Sequence, residues 1–236
     1  MFASFMTVVK SEYLISQEIE PDPIPALFQK SELTDITLIV EGKELHFAKY
    51  PLMAGSTVFA NMIKDSEDKS RLVLLDVPYK DMIMFLFCLH PETLQDITDE
   101  NLEKVTRIAH RFKHKGILYR CEQYITEKFK QIPESKDRMY PNFFFHLKVA
   151  DKFEMGKAIE AGVLTERVEK AYYSGNNDRY SKTLGYEVNE NFKELSADTK
   201  IKILSRRLRS TEKGIRSLSS NALSSNEPSL WRDDIL

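Results

Sequence analysis

The spacing of apolar positions changes period along the chain, and each change marks an expected element. Asp35-Ile36-Thr37-Leu38-Ile39-Val40 is rich in β-branched side chains and reads as a strand. Glu41-Gly42-Lys43 supplies turn chemistry, after which Leu45 and Phe47 alternate with polar neighbours, so a hairpin is expected. Over residues 51–63 the period lengthens: Leu52, Val58, Phe59, Met62 and Ile63 suit one or two short helices broken near Gly55-Ser56. A polar loop at residues 65–70 precedes Leu72-Val73-Leu74-Leu75, a short apolar strand stopped by Pro78.

Helical spacing then dominates. Met82, Phe85, Leu86 and Leu89 fall at i, i+3, i+4 and i+7, and Pro91 ends the run. Leu102, Val105, Thr106, Ala109 and Phe112 repeat the spacing, with Thr98 or Asp99 as the expected cap. Gly116 separates that helix from residues 117–130, where Leu118, Cys121 and Ile125 face inward. Residues 133–141 are a polar connection, followed by helical stretches at 142–153 and about 157–172 and loop chemistry at 174–178. Ser196 caps an expected last helix whose apolar face is Ile201, Ile203, Leu204 and Leu208. Seven serines within residues 210–230 read as a disordered tail. Before the first strand, Pro21, Pro23 and Pro25 disfavour regular structure up to Ile24, and a turn of helix presents Leu27 and Phe28. A few strands followed by a run of helices is an α+β order, not an alternating βαβ one.

Composition narrows the class without naming it. The 236 residues carry 34 basic and 36 acidic side chains, a net charge of −2, which disfavours a dedicated nucleic-acid binder. The total is uneven, because Lys200 to Arg216 holds seven Lys or Arg against Glu212 alone. That stretch reads as a solvated helix face, with nucleic acid, a membrane or an import receptor as the alternatives. The longest apolar run, residues 82–89, is far short of a spanning helix, so no membrane is expected. Two cysteines, Cys88 and Cys121, exclude a disulfide scaffold and a four-cysteine zinc site. The N-terminus lacks a basic leader and a small-residue cleavage pattern, so an intracellular site, cytoplasmic or nuclear, is expected.

The chain also lacks the common catalytic signatures. G-x-G-x-x-G, G-x-x-x-x-G-K-[ST], H-E-x-x-H and G-x-S-x-G are all missing, and no cofactor is expected. The best metal candidate is His110 with His114, i and i+4 on one expected helix, with Cys121 or His90 to complete it. Basic neighbours Arg111, Lys113 and Lys115 disfavour a divalent cation there, so the histidines read as structural. Cys88 and Cys121 lie on apolar faces and read as buried thiols rather than nucleophiles. Asp96, Asp99 and Glu100 sit at a helix start, where negative charge complements the macrodipole without any acid–base role.

The block from Leu33 to Lys128 resembles a BTB/POZ domain. Leu33 to Val40 is similar to the opening strand of that family. Lys49 to Ile63, with Ser56-Thr57-Val58-Phe59, is similar to its first helical hairpin, and Arg71 to Val77 to its third strand. Asp81 to His90, Ile97 to Phe112 and Ile117 to Tyr124 resemble the helices that follow, in the same order. Leu147-Lys148-Val149-Ala150-Asp151-Lys152-Phe153 resembles the opening of a BACK-like helical extension. The expected organisation is an N-terminal segment at 1–25, a BTB/POZ domain at 26–130, a BACK-like extension at 140–208 and a Ser-rich tail at 209–236. The expected fold is a small three-stranded sheet capped by helical hairpins, then helices.

The resemblance implies a non-catalytic homodimer, and foremost a substrate adaptor of a cullin-RING ubiquitin ligase. It places Leu27, Phe28, Leu33, Tyr50 and Leu52 at the dimer face and Asp35 and Lys49 at a charged groove. Phe59, Met62 and Lys64 fall where cullin-binding members make contact. Implied partners are a second copy, cullin, other BTB chains and an unidentified substrate protein. Two departures count against cullin. Ala48 replaces the family's common histidine, and Lys64 stands where the contact motif usually carries glutamate. A charge reversal at such a contact is costly. The alternative is a cullin-independent scaffold or heterodimerising regulator, and a metal-dependent enzyme at His110 and His114 is the remote third reading.

Overall fold

The computed structural model describes residues 24–131, 142–164 and 189–224. Expectations for the N-terminal segment, the 133–141 connection, the 165–172 helix end, the loop at 174–178 and the tail from 225 lie outside the described residues.

The sheet forms where the β-branched run predicts it. Strands β1 (Ile36–Val40) and β2 (Lys43–Phe47) pair antiparallel, from Ile36 opposite Phe47 to Val40 opposite Lys43. Glu41 at φ 49° and Gly42 at φ 77° are both left-handed, so the connection is a two-residue turn whose twist suits the flanking strands. Strand β3 (Arg71–Leu74) lies parallel to β1, giving the order β2-β1-β3. Alternation along β1 buries Ile36, Leu38 and Val40 against the helices.

Helices α1 (Lys49–Gly55) and α2 (Thr57–Asp65) meet at Ser56, the break expected from Gly55-Ser56. The Ser56 hydroxyl accepts from the Phe59 amide at 3.0 Å as the cap of α2 and donates to the Phe112 carbonyl. Helix α3 (Tyr79–Leu89) packs on α4 (Leu102–Arg111), and α5 (Lys115–Lys130) follows. Three arginines tie segments together, two of them through carbonyls of loops and a helix end and the third through a carboxylate. Arg111 binds the Leu75 and Asp76 carbonyls, Arg120 those of Cys88 and Gln95, and Arg107 pairs with the buried Asp81 at 2.8 Å. Beyond these lie α6 (Phe143–Lys152), α7 (Gly156–Leu164), the single turn α8 (Glu190–Lys193) and α9 (Ala197–Ser224). One hydrophobic core runs from Phe28 and the sheet through Phe85 and Phe129 to Leu147, Ala158 and Ile203. The extension is therefore packed into the same interior as the sheet domain.

The structure corrects several expectations. Neither Thr98 nor Asp99 caps α4; Asn101 occupies the cap position and its side chain accepts from the Thr98 amide at 2.9 Å. His110 and His114 are not on one helix, because α4 ends at Arg111 and Lys113 turns left-handed at φ 50°. The last helix does not stop at residue 208 but runs to Ser224; no proline interrupts it, and serine is tolerated inside helices. Of the four apolar residues that mark this helix, Ile203 is buried, while Ile201, Leu204 and Leu208 are exposed. Cys88 and Cys121 are buried as expected, and loss of hydration pushes both thiols up to about 11. Among the described residues no helix is long and apolar enough to cross a membrane.

Candidate interaction surfaces

The residues placed at the dimer face lie in the turn at Ala26–Phe28, in the loop before β1 (Leu33) and on α1 (Tyr50 and Leu52). Phe28 is fully enclosed, its ring 4.9 Å from Phe87 and 6.2 Å from Phe47, and so anchors the segment to the domain. Leu52 is likewise fully buried. Neither has surface to offer a partner, which removes both from the expected interface set; burial is a tertiary outcome that helical spacing alone does not reveal. Leu27 is half-buried against the core. Leu33 and Tyr50 differ sharply, at 82% and 81% exposed. Met53, one helical turn beyond Tyr50, is also exposed, and the i+3 spacing on α1 is the signal that extends the patch. Tyr50 and Met53, large apolar side chains exposed one turn apart on a helix, are the kind of surface that marks an interaction site.

Asp35 and Lys49 join that patch differently than a pair of groove charges would. The Lys49 backbone amide donates to Asp35 Oδ1 at 2.6 Å, so the carboxylate caps the start of α1 across 14 residues of sequence. The bond fixes β1 and α1 together, and Leu33 and Tyr50 flank it.

The three residues aligned with a cullin contact are split. Phe59 is completely buried, stacked on Phe112 at 4.3 Å and near Phe85 at 6.3 Å, so it is core rather than contact. Met62 is half-buried, and Lys64 is exposed.

The histidines aligned as metal candidates are engaged by the fold. Nε2 of His114 donates to the Pro51 carbonyl at 3.2 Å, while Nδ1 accepts from the Ile117 amide at 3.3 Å as the cap of α5. Both nitrogens are committed, and burial holds the ring below the ordinary histidine range, so it is neutral. Gly55 faces this ring so closely that a Cβ there would sit 2.1 Å from its Cε1 and Nε2 atoms. His110 packs on Phe153 at 5.5 Å, and His90 lies edge-on to Phe28 and Phe47. Cys121 is an enclosed thiol.

Sequence reasoning missed the junction between the sheet domain and the later helices. Asp99 collects three donors: Tyr124 Oη at 2.6 Å and His146 Nε2 at 2.6 Å on Oδ1, and Asn142 Nδ2 at 2.5 Å on Oδ2. Burial raises the Asp99 carboxyl, but these hydrogen bonds and the nearby ring outweigh it and hold it below the usual range. His146 is fully enclosed, and burial lowers its pKa despite Asp99, so the contact is a neutral Nε2–H donating to a carboxylate. Glu103 adds a second tie, to Lys152 at 2.9 Å and Lys148 at 3.8 Å on α6. Asp151 then accepts from the Ser196 amide at 2.6 Å and from the Ser196 and Thr199 hydroxyls, which fastens the start of α9. No short motif could have announced Asp99, because its donors lie 25, 43 and 47 residues away.

A three-stranded sheet capped by helical hairpins, with exposed apolar side chains before β1 and on α1, is the architecture of an interaction domain. The BTB/POZ family model matches residues 24–129, and this chain carries a BTB/POZ domain over that span, followed by further helices. The BTB and MATH domain-containing protein 36 of Caenorhabditis elegans is 26% identical over 99 residues, 41% of this chain and 31% of that relative. The alpha isoform of protein tramtrack from Drosophila melanogaster is 33% identical over 92 residues, 39% of this chain and 11% of that relative. The chain thus spans less than a third of the length of either.

Proposed function

We propose that the chain is a non-catalytic interaction module that pairs through the β1–α1 face, with a second copy or with another BTB chain. The observation that carries this reading is the exposure of Leu33 and Tyr50, each above four-fifths, on either side of the Asp35–Lys49 bond. Two large apolar side chains held on a rigid, capped corner lose little entropy on docking and gain by leaving water.

Within this reading, a cullin-independent scaffold or heterodimerising regulator ranks above a cullin-RING adaptor. Phe59 is enclosed, and Lys64 presents a positive charge at the contact position. A partner arranged for an acid there meets repulsion. The adaptor reading keeps one support, half-buried Met62 on α2, and would use the α6–α9 helices, in a BACK-like role, to carry substrate.

Affinity capture of the tagged chain with mass spectrometry separates the two. Expected is recovery of BTB-containing chains without stoichiometric cullin, with the heterotypic ones lost in a Leu33→Asp, Tyr50→Asp variant. Stoichiometric cullin that disappears with Met62→Asp would move the conclusion to the adaptor. A capture free of any BTB chain, the second copy included, refutes the proposal.

A further inference from the structure

Helix α9 leaves the body of the protein soon after it starts. Thr199 and Ile203 are buried against the preceding helices and Arg206 is half-buried, whereas Leu208, Arg209, Glu212, Lys213 and Arg216 are all exposed. The whole helix of 28 residues is about 42 Å long at 1.5 Å per residue. Among the described side chains of α9, those buried against the body lie near its start, and tertiary packing of that kind is what normally sustains a helix in water.

The apolar residues left in solvent follow a rhythm. Ile201, Leu204 and Leu208 are 62%, 47% and 61% exposed, at spacings of three and four. The sequence continues that rhythm through Thr211, Ile215 and Leu218. This is a heptad repeat with Ile201, Leu208 and Ile215 at a and Leu204, Thr211 and Leu218 at d. The buried Thr199 and Ile203 fall at f and c, on the far side of the helix from that seam. Among the described side chains, the body therefore holds the Thr199 and Ile203 face of α9 and leaves Ile201, Leu204 and Leu208 outward.

We propose that α9 pairs with α9 of a second copy as a parallel, in-register, two-stranded coiled coil. The residue choice selects this occupant: two of the three a positions are isoleucine and two of the three d positions are leucine, and β-branched a with leucine d favours two parallel strands. Charge agrees. Arg207 at g and Glu212 at the next e are five residues apart, the separation at which a parallel pair places each beside the opposite charge on the second helix. The other g–e combinations, Lys200 with Ser205 and Gly214 with Ser219, carry no like charges. An antiparallel pair would instead set the basic g positions Lys200 and Arg207 against one another. The remaining basic residues, Lys202, Arg206, Arg209, Lys213 and Arg216, occupy b and f, away from the seam. This seam is separate from the β1–α1 face, so either can fail without the other.

The test is disulfide trapping in the full-length chain, where the native Cys88 and Cys121 are buried. Leu204→Cys and Thr211→Cys place a thiol at d, and Lys213→Cys places one at f. Under mild oxidation the two d variants form a covalent dimer at least tenfold faster than the f variant. The Leu204→Cys rate persists in a Tyr50→Asp background. Circular dichroism matching wild type confirms that each variant is folded. Equal trapping at 204, 211 and 213, or none at either d position, overturns the proposal, as does loss of Leu204→Cys trapping with Tyr50→Asp.

Discussion

Asp99→Ala is the most informative single perturbation of the junction between the BTB domain and the helices that follow. The substitution removes the acceptor for three donors at once. His146 is fully buried, so its Nε2–H would bear the whole penalty of an unmade hydrogen bond, about 1–3 kcal/mol. Asp99 itself is about one-third exposed, at 34%, so water reaches the vacated site and discounts the cost to Tyr124 and Asn142 to under about 1 kcal/mol each. The expected loss is about 2–4 kcal/mol of unfolding free energy, measured by urea denaturation. Hydrogen exchange should show the largest loss of protection in α6, which carries His146. Adding His146→Phe removes the stranded donor while keeping a ring in the aromatic cluster with Phe129. The double variant should then be more stable than the two single losses summed, by about 1 kcal/mol or more. An Asp99→Ala variant within about 0.5 kcal/mol of wild type, the range of ordinary surface changes, would refute the reasoning. So would a strictly additive double variant.

Gly55→Ala should destabilise by about 1–3 kcal/mol through the clash with the His114 ring, and His114→Ala should relieve part of that cost; thermal unfolding of both variants and their combination checks it. Phe59→Ala should cost about 3–5 kcal/mol, because it empties a stacked core position, whereas Met62→Ala, at a half-buried position, should cost distinctly less; thermal unfolding of both checks it. Burial lowers the folded pKa of His146 and His114, so the unfolded chain takes up their protons first. Stability should therefore fall as pH drops below about 6.5, the ordinary histidine value, and His146→Phe should flatten that slope. Asp99 and Glu103, both held low, add a second loss as pH falls below about 4, traced by the same denaturation series.

Local periodicity carried most of the fold. The β-branched run at residues 36–40, the Glu41-Gly42 turn and the Gly55-Ser56 break each depend on neighbours in sequence, so each was legible before the structure. Leu33 and Tyr50 were singled out through the family resemblance, and both are exposed. Phe28, Leu52 and Phe59 could not be sorted from them, since apolar identity is the same for core and interface and only tertiary packing separates the two. Asp99 and Asp151 were hidden for another reason: their partners come from distant helices, and an acid at a helix start has a sufficient local explanation. In α9, apolar spacing pointed correctly to a helix but not to which side the body covers. Of Ile201, Ile203, Leu204 and Leu208, Ile203 turned inward and the other three did not.

Pairing through the β1–α1 face is tested most directly by light scattering on a chain whose α9 seam is disabled by Leu204→Asp and Leu208→Asp. That chain should have twice the 27.4 kDa protomer mass, and adding Leu33→Asp with Tyr50→Asp should return it to one protomer while circular dichroism is unchanged. A single-protomer mass before the β1–α1 substitutions are made, at concentrations up to tens of micromolar, would contradict the account.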